Sequence, residues 1–178
     1  MEGSHEAIWL QATIDTLRKN KALADSAIEQ LSLEQLRVSL HPELNSIAVI
    51  MKHVAGNLRS RWTDFLEADG EKPERNRDGE FIDDYADRQA ILDDWESGWA
   101  TLFAALGRLT PADLGREVPI RGCPHPVPLA IQRSITHTSY HLGQIVQTAR
   151  AVVGEGWRTL TIPRGKSEEY NRETWARG

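Results

Sequence analysis

The sequence predicts an all-α protein: a four-helix bundle with a small β-hairpin between its third and fourth long helices. Three observations point there. Four long segments carry apolar residues at spacings of three and four, the period of a helix with one buried face. The stretches between them are rich in glycine, proline and charge. Too few alternating runs exist to build a sheet against those helices. At 178 residues, 40% hydrophobic and 26% charged, the chain suits a single domain, 1–178, able to bury a proper core.

The first helix is predicted over about Glu6–Leu31, with Ile8, Leu10, Ile14, Leu17, Ala24 and Ile28 along its stripe. Ser32, followed by Glu34 and Gln35, marks a short second start or a loop. "HPELNS" then breaks the chain and caps a second long helix, Ser46 to about Ala68, whose stripe is Ile47, Ile50, Val54, Leu58 and Phe65. Asp69 to Asp84, "DGEKPERNRDGEFIDD", reads as a loop, long for a bundle connection. The third helix covers about Asp87–Leu109, with Ile91, Trp95, Trp99, Leu102, Phe103 and Leu106 inward. Thr110-Pro111 opens one further turn. Glu117–Arg121 and His125–Leu129 flank a Gly-Cys-Pro turn and can pair as the hairpin. The fourth helix runs from about Leu129 to Val153 and stops at Gly154, and the tail beyond about 154 reads as irregular.

Composition narrows the function. The formal charge of −5 offers no basic surface for nucleic acid. The apolar runs "SIAVIM" and "ATLFAALG" are far too short for a membrane span. The N-terminus lacks the basic-then-apolar layout of a secretory leader. A single cysteine, Cys123, excludes an internal disulfide and a four-cysteine zinc site. The expectation is a cytoplasmic protein acting on a small molecule, without nucleic-acid or membrane partners.

"SITHTSYHLGQI" places His137 and His141 one helical turn apart, with both imidazoles on one side. Six histidines in this chain give such a pair by accident with a probability of about 0.2, so spacing alone is weak. His53 strengthens it, because it lies within the apolar stripe of the second helix. A buried imidazole needs partners for both nitrogens, and a metal ion is one such partner. Two histidines from one helix and one from another can hold zinc or nickel and leave positions open for substrate. Buried histidines satisfied by hydrogen bonds alone remain the other reading. A di-iron bundle needs Glu-x-x-His on inner faces, and here that pattern occurs only at Glu2–His5. His-Glu-x-x-His, the zinc-protease pattern, is absent.

Together these residues resemble the DinB-like (YfiT-like) metalloenzyme superfamily, in a bacterial branch of unassigned function. The resemblance rests on "NSIAVIMKHVAGNLRSRWTDFL" with the loop "DGEKPERNRDGEF", then "ITHTSYHLGQIVQTAR", then "LTIPRGKSEEYN", in the same order over about Asn45–Asn171. It implies a four-helix bundle, often a homodimer, and a divalent metal, nickel or zinc, on His53, His137 and His141. Relatives of this kind include thiol-dependent S-transferases and a mycothiol-dependent isomerase, so it also implies a low-molecular-weight thiol as cosubstrate. Others are called hydrolases. The first functional expectation is therefore a metal site that activates a thiol or water against a small electrophile. The alternative is a non-catalytic, metal-binding dimeric bundle in stress response. A purely structural bundle would hold no metal.

Asn57, Tyr140, Gln144 and Arg61 stand near the three histidines in sequence and are expected in the second shell or the pocket wall. Arg59 and Arg61 are candidates for an anionic substrate. The mixed charges of the 69–84 loop read by composition as a solvated surface, and the resemblance adds a pocket-rim or dimer-contact role. Cys123 reads as a turn residue and the tryptophans as packing.

Overall fold

The computed structural model describes residues 4–175. Its elements, in order, are α1 (His5–Ile28), α2 (Leu33–Leu36), α3 (Ile47–Trp62), α4 (Arg88–Leu106), β1 (Glu117–Ile120), β2 (Cys123–Pro126), α5 (Val127–Val153) and α6 (Ser167–Trp175). Short 3-10 turns lie at Asp78–Phe81, Pro111–Gly115 and Gly154–Gly156. The architecture is the expected all-α bundle with one two-stranded antiparallel hairpin. No helix among the described residues is long and apolar enough to cross a membrane.

α3 lies against α4 and α5, and α1 against α5 and α4. Side-chain oxygens cap three of these helices: Ser4 accepts from Ala7 N, Ser46 from Val49 N and Asp87 from Ala90 N, each satisfying an orphan amide. Between the helices lie Leu17, Met51, Leu58, Trp62, Trp95, Trp99, Leu102 and Ile131, all essentially inaccessible. Each such side chain contributes on the order of 1.5–3 kcal/mol by leaving water. Two of the indoles also find partners: Trp62 Nε1 donates to Ser134 Oγ at 3.1 Å and Trp95 Nε1 to Asp25 Oδ1 at 2.9 Å. α3 and α4 approach closely at Gly98, where a Cβ would stand 2.7 Å from the Ala55 Cα.

Four local expectations are corrected. The second long helix ends at Trp62 rather than Ala68, because Thr63 is extended and Asp64 turns left-handed at φ 49°. Aspartate tolerates that conformation better than most side chains. The hairpin turns at Arg121-Gly122 rather than Gly-Cys-Pro, with φ of 54° and 71°, the paired positive values of a tight two-residue turn. This shortens the second strand, and α5 starts at Val127, two residues early. Where the tail read as irregular, α6 forms over Ser167–Trp175. Ser32 does open a short helix, α2, with a reciprocal capping box to Gln35.

The hairpin and the chain after α3 are tied together. The Asp69 carboxylate accepts from the backbone N–H groups of Glu71, Arg121 and Gly122 at 2.7–2.8 Å. Gly70 N donates to Pro119 O at 2.9 Å. Val118 and Ile120 turn inward from β1, and both are buried. This junction forms one wall of the site.

Candidate metal centre and adjoining cavity

α5 buries Ile131, Ser134, Thr138, Leu142 and Ile145, a stripe at spacings of three and four. His137 and His141 each precede a stripe residue, so they lie on its shoulder, half-buried, about 100° from the deepest line. His53 projects from α3 and is 5% exposed. The three imidazoles converge, with ring centroids 4.6–5.2 Å apart. His53 Nε2 and His137 Nε2 are 3.1 Å apart, and one nitrogen from each ring lies within 4.8 Å of the others.

The tautomers follow from the outer partners. His53 Nδ1 is 2.9 Å from Glu80 Oε2, a carboxylate oxygen, so that nitrogen carries the proton and Nε2 offers its lone pair inward. His141 Nδ1 donates to Gln144 Oε1 at 2.8 Å and leaves its Nε2 as the free donor. His137 Nδ1 is buried without a partner. Burial first, then the neighbouring His141 and His53, pushes the His137 pKa down to about 3. Burial also lowers that of His141. The two α5 rings are therefore neutral at ordinary pH, the form that binds metal.

Glu80 is the residue that sequence reasoning missed. Its loop read as solvated charge, yet the segment folds back over α3. Glu80 is 6% exposed and Arg75 grips it through two parallel bonds of 2.7 and 2.8 Å. Burial opposes the charge of Glu80, but the bonds from His53 and Arg75 outweigh it and hold its pKa below the ordinary value. Space for the carboxylate comes from Gly56 on α3, where a Cβ would collide with it. Phe81, next in the loop, stacks on the His53 ring at 4.9 Å. A glutamate in "RDGEF" carries no local signal of burial. The one clue is Gly56, an unexplained glycine inside a helical pattern.

Three converging imidazole nitrogens suit a divalent ion: the outer nitrogens of His53 and His141 are held by Glu80 and Gln144, the first of them a carboxylate. Two nitrogens each about 2.0–2.1 Å from one tetrahedral ion lie about 3.3 Å apart, and the observed His53–His137 spacing is 3.1 Å. Carboxylate–histidine pairs are the usual outer support of such ligands. The trio can bind a metal ion.

Beside His137 lies a cavity of about 100 Å³, lined by Asn57, Arg61, Trp62, Phe65, Gly70, β1, Arg133 and Ser134. Asn57 and Arg61, both on α3, face this cavity. Arg61 Nη2 reaches Glu71 at 3.2 Å, while its Nη1 is buried without a partner. Burial lowers the pKa of Arg61, and repulsion from Arg75, Arg121 and Arg133 adds to it against the attraction of Glu71. Gln144 accepts from His141 on the side away from the other two rings. Tyr140 packs edge-on against His141 at 5.1 Å, is 64% exposed, and lines an open groove on the outer side of His137. Arg59 faces elsewhere and pairs with Asp94 at 2.7 Å. Cys123 begins β2 and is exposed.

No curated protein matches the chain. Among solved structures, the crystal structure of a conserved protein of locus from Enterococcus faecalis is similar. It has a TM-score of 0.62 and 18% identity, over 82% of this chain and 97% of that one. At that identity the likeness concerns the fold alone. The family described as "Protein of unknown function (DUF1572)" matches residues 4–166, nearly the whole bundle and all three histidines. The chain belongs to the DUF1572 family.

Proposed function

We propose that this protein is a metal-dependent enzyme of DinB-like type, in which His53, His137 and His141 hold a divalent ion, zinc or nickel. One observation carries the reading: three imidazoles from two helices converge in a half-buried site, with His53 Nδ1 bonded outward to Glu80. A divalent ion there supplies Lewis acidity, lowering the pKa of a water or a small thiol and orienting it. The chain's own groups do the rest. Glu80 fixes the tautomer and tilt of His53, and Arg75 fixes Glu80. Gln144 does the same for His141. Phe81 covers one face of His53 and limits water. The adjoining cavity gives a small electrophilic substrate a place beside His137.

The test has two stages. Zinc or nickel measured in purified protein should approach one ion per chain and be lost in His137→Ala. Equal, negligible metal in both proteins would end the reading. The loaded protein is then screened with small thiols against electrophilic substrates, where turnover that disappears in His137→Ala is expected. A non-catalytic metal-binding bundle is the second reading, favoured by one fact: Glu80 is fully engaged by His53 and Arg75, so it is not free to move protons. It predicts bound metal without turnover in any pairing.

A further inference from the structure

Besides His137, whose Nδ1 has no partner, the cavity is lined by two side chains with hydrogen-bonding capacity left unused among the described residues. Arg61 Nη1 is buried and unpartnered among the described residues. It lies against Gly70, close enough that a Cβ there would stand 3.0 Å away. The Asn57 side chain is 8% exposed and makes no hydrogen bond to another described residue. Buried polar groups are ordinarily satisfied, and those that are not need an explanation. Here both line one cavity.

The surroundings select the ligand. The charged residues lining the cavity are Arg61 and Arg133, and no carboxylate joins them. Glu71, outside the lining, is shared by Arg61, Arg75 and Arg121 at 3.2–3.3 Å, so it cannot neutralise Arg61 alone. Phe65, Val118 and Ile120 give the wall an apolar side, with Ser134 and His137 as its further polar residues. An amide, one free guanidinium edge and a small greasy pocket match a short monoanion with a hydrocarbon body. A phosphate dianion would ask for several buried cationic donors, and among the described residues lining this cavity Arg61 Nη1 is the buried, unpartnered one.

We infer that this cavity seats a small organic carboxylate, the acidic end of the substrate, bound by Arg61 and Asn57 beside His137. Its role as a substrate rests on the proposed metal-dependent activity; its binding does not.

The test uses the full chain, zinc-loaded and metal-stripped, titrated calorimetrically with butyrate, its neutral isostere butyramide and inorganic phosphate. Butyrate should bind in both forms, with butyramide and phosphate each at least about tenfold weaker, the worth of a hydrogen bond to a charged group. Arg61→Met should weaken butyrate by at least about tenfold while leaving helical circular dichroism and zinc content unchanged. Should that variant fail to fold, Asn57→Ser must show the same direction of loss. Equal affinity for butyramide, phosphate binding as tightly as butyrate, no butyrate binding at millimolar concentration, or zinc-dependent binding indifferent to Arg61→Met would each overturn the inference. Arg61-dependent butyrate binding in protein that retains no zinc would sustain it and defeat the metal reading. Retained zinc without butyrate binding would do the reverse.

Discussion

Glu80 reaches back across 27 residues of sequence to place its carboxylate 2.9 Å from His53 Nδ1. The contact sets which nitrogen of His53 faces the other two rings. It also depends on Arg75, whose side chain is 5% exposed and bonds both carboxylate oxygens. Removing the charge should therefore be felt at the metal. Glu80→Gln is expected to weaken zinc binding by about 10–100-fold, measured by competition with a chromophoric chelator. An unchanged dissociation constant would show that the carboxylate does not support the ligand.

Gly56 offers the same test without touching a polar group. A Cβ at this position would run into the Glu80 carboxylate, so Gly56→Ala should push Glu80 off His53 and weaken zinc in the same direction as Glu80→Gln. Alanine is the better helix former by roughly 0.8–1 kcal/mol, which offsets part of any cost in global stability.

Gly98→Ala should behave in the opposite way. The new methyl meets the backbone of Ala55, which cannot swing aside, and α4 must lift from α3. A loss of about 1–3 kcal/mol is expected in denaturant unfolding, with zinc affinity little changed. If the two glycine variants showed the same profile, the separate roles assigned to them would be wrong.

Acid should loosen the metal-free protein through the same histidines. In the unfolded chain each takes a proton near about 6.5, whereas burial holds His137 at about 3 and lowers His141. Between those values the unfolded state binds more protons, so stability rises with pH. Their contribution is complete above about pH 6.5 and declines as pH falls toward about 3. The melting temperature of stripped protein should drop on acidification, and less steeply in His137→Gln, which has no proton to take up. Parallel curves for the two proteins would contradict the assignment.

The hairpin wall has its own fastening. Asp69→Ala removes the acceptor for three backbone N–H groups, and those bonds lie near solvent. The expected cost is about 1–2 kcal/mol in unfolding experiments. Hydrogen exchange at Arg121 and Gly122 should quicken in the variant. Unaltered protection there would mean that the turn holds itself.

By itself the sequence determined what depends on residues within a few positions of one another. Helical periodicity placed the four long helices, Ser46 announced the start of the second, and the four-residue step put His137 and His141 on one side of α5. Each follows from bonds and contacts made within a turn or two of the chain. Only the tertiary structure decided what depends on distant partners. His53 meets His137 across 84 residues, a convergence set by how α3 packs on α5. Glu80 and Arg75 looked like solvated charge because burial of a charged pair leaves no mark in composition. It arises when a loop finds space, here over Gly56, and when two opposite charges can enter it together. The end of α3 at Trp62 was hidden for a related reason: an apolar stripe continues through Phe65 whether or not the backbone turns at Asp64 to bring that ring into the cavity wall.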